Sequence, residues 1–173
     1  MSRFSTVLYD DVMRDEVDEV TEAWERERSD LDLAPLAVFS RISRLARHLD
    51  LARREAFSAH AIELWEFDVL SALRRAGAPY ELSPGRLLRE TLVTSGTMTN
   101  RVDRLAARGF VERYPDPDDR RGVIVRLTAE GKAAVDGAFE ALLAAEADLL
   151  ADLPARERRR LAGLLRTLLA PFA

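Results

Sequence analysis

The feature that most constrains the fold lies between residues 82 and 128, where two short amphipathic segments precede two β-prone segments. Ser83 and Pro84 suit the N-cap and the first position of a helix. The apolar residues that follow predict that this short helix buries one side, formed by Leu87, Leu88 and Leu92. A turn containing the small residues of positions 93–96 then allows a second helix to cross at a steep angle.

The second helix separates an apolar face from a polar one. Spacings of four and three predict a buried face formed by Met98, Val102 and Leu105, and Gly109 supplies a stop. The remaining polar side chains, apart from the flanking acid Asp103, are expected on or near the outer surface: Ser95, Thr97, Thr99, Asn100, Arg104 and Arg108. Hydroxyls and amides read base edges in the major groove, and Arg binds phosphate or guanine. When the helix pair is considered without the segments that follow it, two packed surface helices that do not bind DNA remain an alternative.

A β-hairpin with a basic tip follows the helix pair. Residues 110–114 and 123–127 have strand composition, and the prolines and aspartates between them predict a stiff turn. Arg120 and Arg121 come just after the tip, where a hairpin can place an arginine in the minor groove beside the recognition helix. The combination predicts a helix-turn-helix with a wing, which is more specific than either part.

Three segments resemble the multiple-antibiotic-resistance regulator (MarR) family of winged-helix transcription factors. They are Phe67-Asp68-Val69-Leu70, the run from Ser95 to Leu105, and Asp118-Asp119-Arg120-Arg121 leading to Val125-Arg126-Leu127-Thr128. The similarity spans about residues 36 to 170. It implies a mainly α fold with a two-stranded β-wing, in which the N- and C-terminal helices form a dimerisation region.

Composition excludes several other classes of protein. The absence of cysteine rules out disulfides, a thiolate zinc site and a thiol redox switch. The two histidines, His48 and His60, lie on unrelated segments without an acid at metal-ligand spacing, and no phosphate-binding glycine loop is present. We therefore expect no enzyme activity, no cofactor and no metal. Without a membrane-length apolar run or a signal peptide, we expect a cytoplasmic protein that has no membrane partner.

The net charge of −4 hides a local asymmetry. Residues 1–32 contain four arginines against eleven acidic residues, whereas residues 81–128 contain nine arginines against seven. Phosphate affinity depends on the local patch of charge and not on the total. The acidic balance therefore does not argue against a nucleic-acid partner.

The terminal helices carry more apolar surface than a small domain can cover. Helices are predicted over residues 6–27, 36–59 and 63–75 before the winged motif, and over a long segment and a shorter one after residue 128. Residues 1–59 are assigned to dimerisation and a ligand-pocket wall, 60–128 to DNA binding, and 129–173 to dimerisation. The resemblance implies a two-fold homodimer on double-stranded DNA with an inverted repeat.

A possible effector site involves Trp24, Asp68 and Arg101. Taken singly, they have ordinary interpretations as an interface aromatic, a solvated acid and a phosphate contact. In the urate-responsive branch of the family, a tryptophan on an extra N-terminal helix stacks on the ligand, and an aspartate and an arginine at the matching positions complete the pocket. The chain departs from that branch at Ala76, where a small polar residue is expected.

The sequence therefore predicts a DNA-binding repressor that a small anionic or aromatic effector such as urate releases from a palindromic operator. Two alternatives remain open. A regulator of the same family could answer a different ligand, such as a phenolic compound or an antibiotic. A winged-helix protein could instead act as a protein–protein adaptor, although the arginines of the wing and the polar face of the second helix are present.

Overall fold

The computed structural model describes residues 14–91, 94–117 and 122–172. Leu92, Arg120 and Arg121 lie outside these described residues. In chain order the elements are α1 (Glu16–Glu27), α2 (Ala34–Ser58), α3 (Leu64–Arg75), β1 (Glu81–Leu82), α4 (Pro84–Thr91), α5 (Ser95–Ala107), β2 (Val111–Pro115), β3 (Val123–Leu127), α6 (Ala129–Leu149) and α7 (Ala155–Leu169), followed by a 3-10 turn (Ala170–Phe172). The mainly α fold with a wing is confirmed.

The chain divides into two units, the first ending at Asp50 and the second beginning at Leu51. In the first unit, α1 begins where the Asp15 side chain accepts hydrogen bonds from the Val17 and Asp18 amides. Arg41 of α2 donates to Asp15 at 2.8 Å and to Asp18 at 2.6 Å. A basic residue of the second helix thus binds acidic residues at the start of the first.

The second unit has a core formed by the winged motif together with its flanking helices. Its buried side chains come from α2, α3, α4, α5, the sheet and α6. Of the residues predicted to be buried on the two motif helices, Leu87, Met98, Val102 and Leu105 are at most 2% exposed, whereas Leu88 is only partly buried. Spacing alone therefore identified the side chains that join these helices to the rest of the unit.

Among the described residues the sheet has three antiparallel strands in the order β1-β3-β2, so β1 adds a third strand to the predicted two-stranded wing. The two long strands pair from Val111 opposite Leu127 to Pro115 opposite Val123. The additional strand consists of Glu81 and Leu82, which pair with Arg126 and Val125. Two residues are too few to show strand periodicity, which explains why the sequence did not reveal β1.

The turn between the motif helices is shorter than predicted. Thr94 is the N-cap of α5, and its side-chain oxygen accepts a hydrogen bond from the Thr97 amide. Ser95 and Gly96 therefore belong to the first turn of α5 and not to the preceding connection. The helix ends at Ala107, and Gly109 takes a φ of +74°, a left-handed conformation that glycine adopts without the steric cost of a side chain.

The last two helices differ in how much they bury. The Thr128 hydroxyl accepts a hydrogen bond from the Gly131 amide at the start of α6, and the helix buries Val135, Ala138 and Leu142. By contrast, α7 buries none of its side chains in the single chain. Within the described ranges, no helix combines the length and the apolarity that crossing a membrane requires.

Candidate nucleic-acid interface

The two faces of α5 have opposite environments. Met98, Val102 and Leu105 point into the core of the second unit. The first turns of the helix expose every polar residue that the sequence had assigned to base reading: Ser95, Thr97, Thr99 and Asn100. The polar face is thus both accessible and backed by a well-packed core, which is the arrangement that groove reading requires.

Local hydrogen bonds order part of this polar face. The hydroxyls of Thr94 and Thr97 lie 2.9 Å apart, and the Thr99 hydroxyl donates to the Ser95 carbonyl at 3.2 Å. Hydroxyls held in this way can still accept hydrogen bonds from a base or a phosphate. With the positive end of the α5 dipole at the same place, the first turn favours an anionic partner.

The arginines in the C-terminal half of α5 lie against the start of α3. The Arg104 guanidinium is 3.4 Å from Glu63 and 4.5 Å from the ring centroid of Trp65. Arg108 donates to the buried carboxylate of Glu66 and, at 2.6 Å, to the Ala61 carbonyl. The sequence had assigned both arginines to DNA contacts, and it did not reveal these partners.

An ion pair links α5 to the wing. Asp103, which the sequence indicated to be a solvated flank residue, accepts a hydrogen bond from Arg113 of β2. On the same sheet, Arg126 pairs with Glu81 and stacks over the Tyr114 ring at 4.8 Å. The wing strands are therefore tied to the recognition helix and to β1, although the predicted contact residues Arg120 and Arg121 lie outside the described residues.

Two of the three predicted effector residues interact electrostatically. Burial around its carboxylate raises the pKa of Asp68, and the positive charge of Arg101 opposes this shift. The Arg101 guanidinium lies 5.7 Å from the Trp65 ring centroid. Its buried Nη1 has no hydrogen-bond partner among the described residues. An anionic ligand oxygen is the kind of acceptor that this N–H group lacks.

The third effector residue, Trp24, belongs to the first unit, whereas Asp68 and Arg101 belong to the second. Its side chain is 50% exposed on α1, beside Val20 and Ala23. An exposed indole is available for stacking on a planar molecule. The grouping of the three residues into one pocket stays a prediction.

A pocket that the sequence did not indicate lies between α3 and α6. It has a volume of about 150 Å³, and its lining is mostly apolar, with Phe67 and Phe139 among the contributing rings. An ion pair from Arg74 to Asp136, 2.7 Å long, lies at the same place. The two rings are 72 residues apart in the sequence, so only the packing of α3 on α6 brings them together.

Comparison with known proteins identifies the family. Residues 62–122 match the model of the MarR family. The chain is 37% identical over 150 residues to the HTH-type transcriptional regulator PecS of Dickeya dadantii, a similarity that covers 87% of this chain and 90% of that protein. The chain therefore belongs to the MarR family of winged-helix transcription regulators. Its relatives are regulators and not enzymes, which confirms that expectation.

Solved structures show the same fold. Escherichia coli MarR, as a mutant complexed with operator DNA, superposes with a TM-score of 0.65 at 30% identity, covering 82% of this chain and 96% of that one. Bordetella bronchiseptica BpsR superposes with a TM-score of 0.57 at 26% identity over 74% of this chain and 98% of that one. In BpsR, 6-hydroxynicotinic acid regulates DNA binding.

Proposed function

We propose that the chain is a homodimeric transcriptional repressor that binds an inverted-repeat operator in double-stranded DNA. The observation that carries this proposal is α5, which buries Met98, Val102 and Leu105 and exposes the hydroxyls and amide of its first turns. In the proposed complex, Ser95, Thr97, Thr99 and Asn100 read base edges. Arg104 and the wing residues Arg120 and Arg121 bind the backbone or the minor groove. The complex of E. coli MarR with operator DNA supports the proposed binding to operator DNA.

The proposed dimer uses the two ends of the chain, residues 1–59 and 129–173, and leaves residues 60–128 for DNA. Support comes from the leucines of α7, which are between 38% and 65% exposed in a single chain: Leu164, Leu165, Leu168 and Leu169. Adjacent apolar side chains of this size gain several kcal/mol when a second surface covers them. Two-fold symmetry would then place two recognition helices about one DNA turn apart.

The proposed effector is a planar organic anion such as urate, which stacks on Trp24 and pairs with Arg101 near Asp68. Support comes from the exposed indole, from the Arg101 N–H group without a partner, and from the desolvated Asp68 carboxylate. Because Arg101 belongs to α5, ligand binding would change the position of the recognition helix. A coupling of about 1–3 kcal/mol corresponds to a 5- to 150-fold loss of DNA affinity.

Two alternatives give different outcomes in one experiment. A regulator of this family that answers a phenolic compound or an antibiotic would bind the same DNA but ignore urate. A protein–protein adaptor would not bind specific DNA at all. The pocket between Phe67 and Phe139 offers an apolar site for a phenolic ligand, which favours the first alternative over the second.

The test is a fluorescence-anisotropy titration of labelled DNA from the region upstream of the gene, with and without urate. A saturable increase in anisotropy that urate reverses supports both the DNA-binding regulator and urate as its effector. A saturable increase in anisotropy that urate does not reverse excludes urate as the effector but still supports a DNA-binding repressor. If no upstream fragment is bound specifically at low salt, the adaptor replaces the proposal.

Two matched variants separate DNA binding from effector binding. Trp24→Ala should retain operator affinity and weaken the urate response, since the indole lies outside the DNA-reading helix. Asn100→Ala should lose about 1–3 kcal/mol of operator affinity because a base contact is removed. Phe139→Ala serves as the control for the second pocket. An unchanged urate response in Trp24→Ala, with a lost response in Phe139→Ala, would move the effector site to the pocket between α3 and α6.

A further inference from the structure

Two arginines of α5 and the arginine at its C-cap form a stripe that faces the start of α3. Arg101, Arg104 and Arg108 are spaced by three and four residues, so they share one side of the helix. The first two lie over the ring of Trp65, with guanidinium carbons 5.7 Å and 4.5 Å from its centroid. Glu63 receives a contact from Arg104, and Glu66 receives one from Arg108. We call Glu63, Trp65 and Glu66 the α3 anchor.

The centre of the α3 anchor is a buried carboxylate with two roles. Glu66 is 1% exposed, and its Oε2 accepts a hydrogen bond from the Glu63 amide at 2.9 Å, which caps α3. The same oxygen accepts a hydrogen bond from Nη1 of Arg108. Burial of a carboxylate is costly unless a cation and hydrogen bonds compensate it. Arg108 provides a cation and one hydrogen bond, so this ion pair links α3 to the C-terminal end of α5, while the other carboxylate oxygen of Glu66, Oε1, has no hydrogen-bond partner among the described residues.

The other contacts of Arg108 leave its guanidinium directed into the protein. Nη2 donates to the Ala61 carbonyl at 2.6 Å, and the guanidinium carbon lies 4.5 Å from the Phe110 ring centroid. Ala61 has a φ of 52°, a left-handed conformation that costs a residue with a Cβ about 1–2 kcal/mol. The hydrogen bond from Arg108 therefore also holds a strained connection between α2 and α3.

We propose that Arg108 is a positioning residue of the recognition helix and not a phosphate contact, and that the Glu66–Arg108 pair sets the angle of α5 on the DNA. This inference rests on the proposed function, in which the first turns of α5 read bases. At 1.5 Å per residue, Ser95 lies about 20 Å along the helix from Arg108. A tilt of about 5° at the anchored end would therefore move the reading end by about 1.7 Å, which exceeds the tolerance of about 0.5 Å for a binding constellation.

The two roles of Arg108 predict different consequences for Arg108→Lys. Lysine keeps the positive charge and would preserve most of a phosphate contact, but its single nitrogen cannot replace the two guanidinium nitrogens that bond Glu66 and Ala61 separately. If Arg108 instead binds a phosphate, any weakening of that contact in Arg108→Lys would lower specific and non-specific DNA affinity in parallel, and the salt slope would stay near that of wild type because the charge is kept. A misplaced helix would lower only the specific affinity, because base reading depends on position and backbone attraction does not.

The experiment measures the affinities of wild type, Arg108→Lys and Glu66→Met for the operator and for a scrambled duplex, across a series of salt concentrations. Both variants should lose about 5- to 150-fold in operator affinity, while the scrambled-duplex affinity and the salt slope stay unchanged. The result for Glu66→Met is decisive because removing a negative charge near DNA would otherwise increase affinity. Glu112→Gln, which removes an exposed acid from β2, is the control and should retain or slightly increase operator affinity.

Three outcomes would overturn the inference. A parallel loss of operator and scrambled-duplex affinity in Arg108→Lys would make Arg108 a phosphate contact. Unchanged operator affinity in both variants, with only a lower melting temperature, would make the pair merely structural. An increase in affinity for Glu66→Met would show that the carboxylate only repels DNA. If Glu66→Met does not fold, the operator and scrambled-duplex affinities of Arg108→Lys still distinguish a positioning residue from a phosphate contact.

A separate measurement does not require DNA. The free energies of unfolding of Glu66→Met, Arg108→Met and the double variant form a cycle, and a double variant more stable than Arg108→Met would establish the anchoring pair. Additive effects would exclude it. If wild type binds no specific DNA, the proposed function fails, and this cycle still reports whether Glu66 and Arg108 hold α5 to α3.

Discussion

The helices α5 and α7 have similar lengths and similar apolar spacing but opposite environments. Met98, Val102 and Leu105 of α5 are at most 2% exposed, whereas Leu164, Leu168 and Leu169 of α7 are at least 44% exposed. α5 packs against α3, α4 and β2, whereas the main contacts of α7 within the described residues are with the 3-10 turn that follows it. The comparison shows that an amphipathic pattern identifies a helix face that must be buried but does not identify the surface against which that face packs.

The largest expected effect comes from making the outward face of α7 acidic. Leu164→Asp combined with Leu168→Asp should convert the proposed dimer to a 19.4 kDa monomer, because two carboxylates would enter an apolar interface. Losing the second half-site contact should lower operator affinity by about 10²- to 10⁴-fold. Light scattering after size exclusion measures the mass, and anisotropy measures the affinity.

The control for this change is Arg166→Asp, which adds an acid on the opposite side of α7. It should leave the mass of the dimer unchanged. A wild-type protein that is already monomeric, or a leucine double variant that remains dimeric, would refute α7 as an interface. The greater exposure of the α7 leucines, compared with the apolar residues of α5, would then reflect weak packing of α7 and not a dimer interface.

The next largest effect is expected in α5, the helix whose apolar face is buried in the core of the second unit. Leu105→Ala should lower the free energy of unfolding by about 2–5 kcal/mol because it leaves a cavity in the core of the second unit. Leu169→Ala, measured at a protein concentration low enough to keep copies apart, should change it by less than about 0.5 kcal/mol. Urea unfolding provides both values. Equal losses would mean that α7 is covered within its own chain.

One substitution made in two helices should give effects of opposite sign. A Cβ on Gly131 would lie 2.0 Å from the Phe110 carbonyl oxygen, whereas one on Gly163 would meet no atom within 4 Å. We therefore expect Gly131→Ala to cost about 1–3 kcal/mol. Gly163→Ala should gain about 0.5–1 kcal/mol from helix propensity.

Thermal unfolding monitored by circular dichroism distinguishes these two variants. A loss of stability in Gly163→Ala that grows with protein concentration would show that a second copy packs closely against this position. Such a result would sharpen the comparison, because α7 would then be as tightly packed in the dimer as α5 is in the monomer. A neutral Gly131→Ala would contradict the close approach of α6 to Phe110.

The smallest expected effect concerns pH and the contact between α3 and α6. Hydrogen bonds from Arg74 and Lys132 hold the pKa of Asp136 below its ordinary value of about 3.9. The stability that this pair adds is therefore complete above about pH 4 and is lost as the pH falls through the lowered pKa. Asp136→Asn should remove this part of the acid dependence, measured as the urea midpoint between pH 5 and pH 2.

The matched control is Glu140→Gln, which removes an exposed acid from the same helix. It should leave the acid dependence close to that of wild type. An Asp136→Asn variant with the wild-type pH profile would show that the pair does not stabilise the packing of α6. The loss of stability at acid pH would then have to come from the protonation of other carboxylates.

Local patterns explain what could be predicted. The buried residues Leu87, Met98, Val102 and Leu105 followed from helical spacing, and the cap at Ser83 followed from residue type. These features depend on neighbours within about two turns of helix. Strand composition and turn residues supplied the wing, and family resemblance supplied the class of regulator; the fold confirms the first and the relatives confirm the second.

Long-range partners explain what could not be predicted. The strand β1 pairs with residues more than 40 positions later in the chain, and Glu66 meets Arg108 across 42 positions. The sequence likewise did not reveal that the Glu66 carboxylate serves both helices, capping α3 and binding Arg108. The proposed site of Trp24, Asp68 and Arg101 stays a prediction for the same reason, because its members belong to two units.

The double role of Glu66 also limits how this protein can diverge. A lineage that replaces Arg108 alone leaves a buried charge uncompensated, and a lineage that replaces Glu66 alone loses a helix cap together with the partner of Arg108. Single steps in either direction are therefore disfavoured, and paired replacements are the accessible route. We expect homologues to change these two positions together, even where the residues that read DNA have drifted toward new operators.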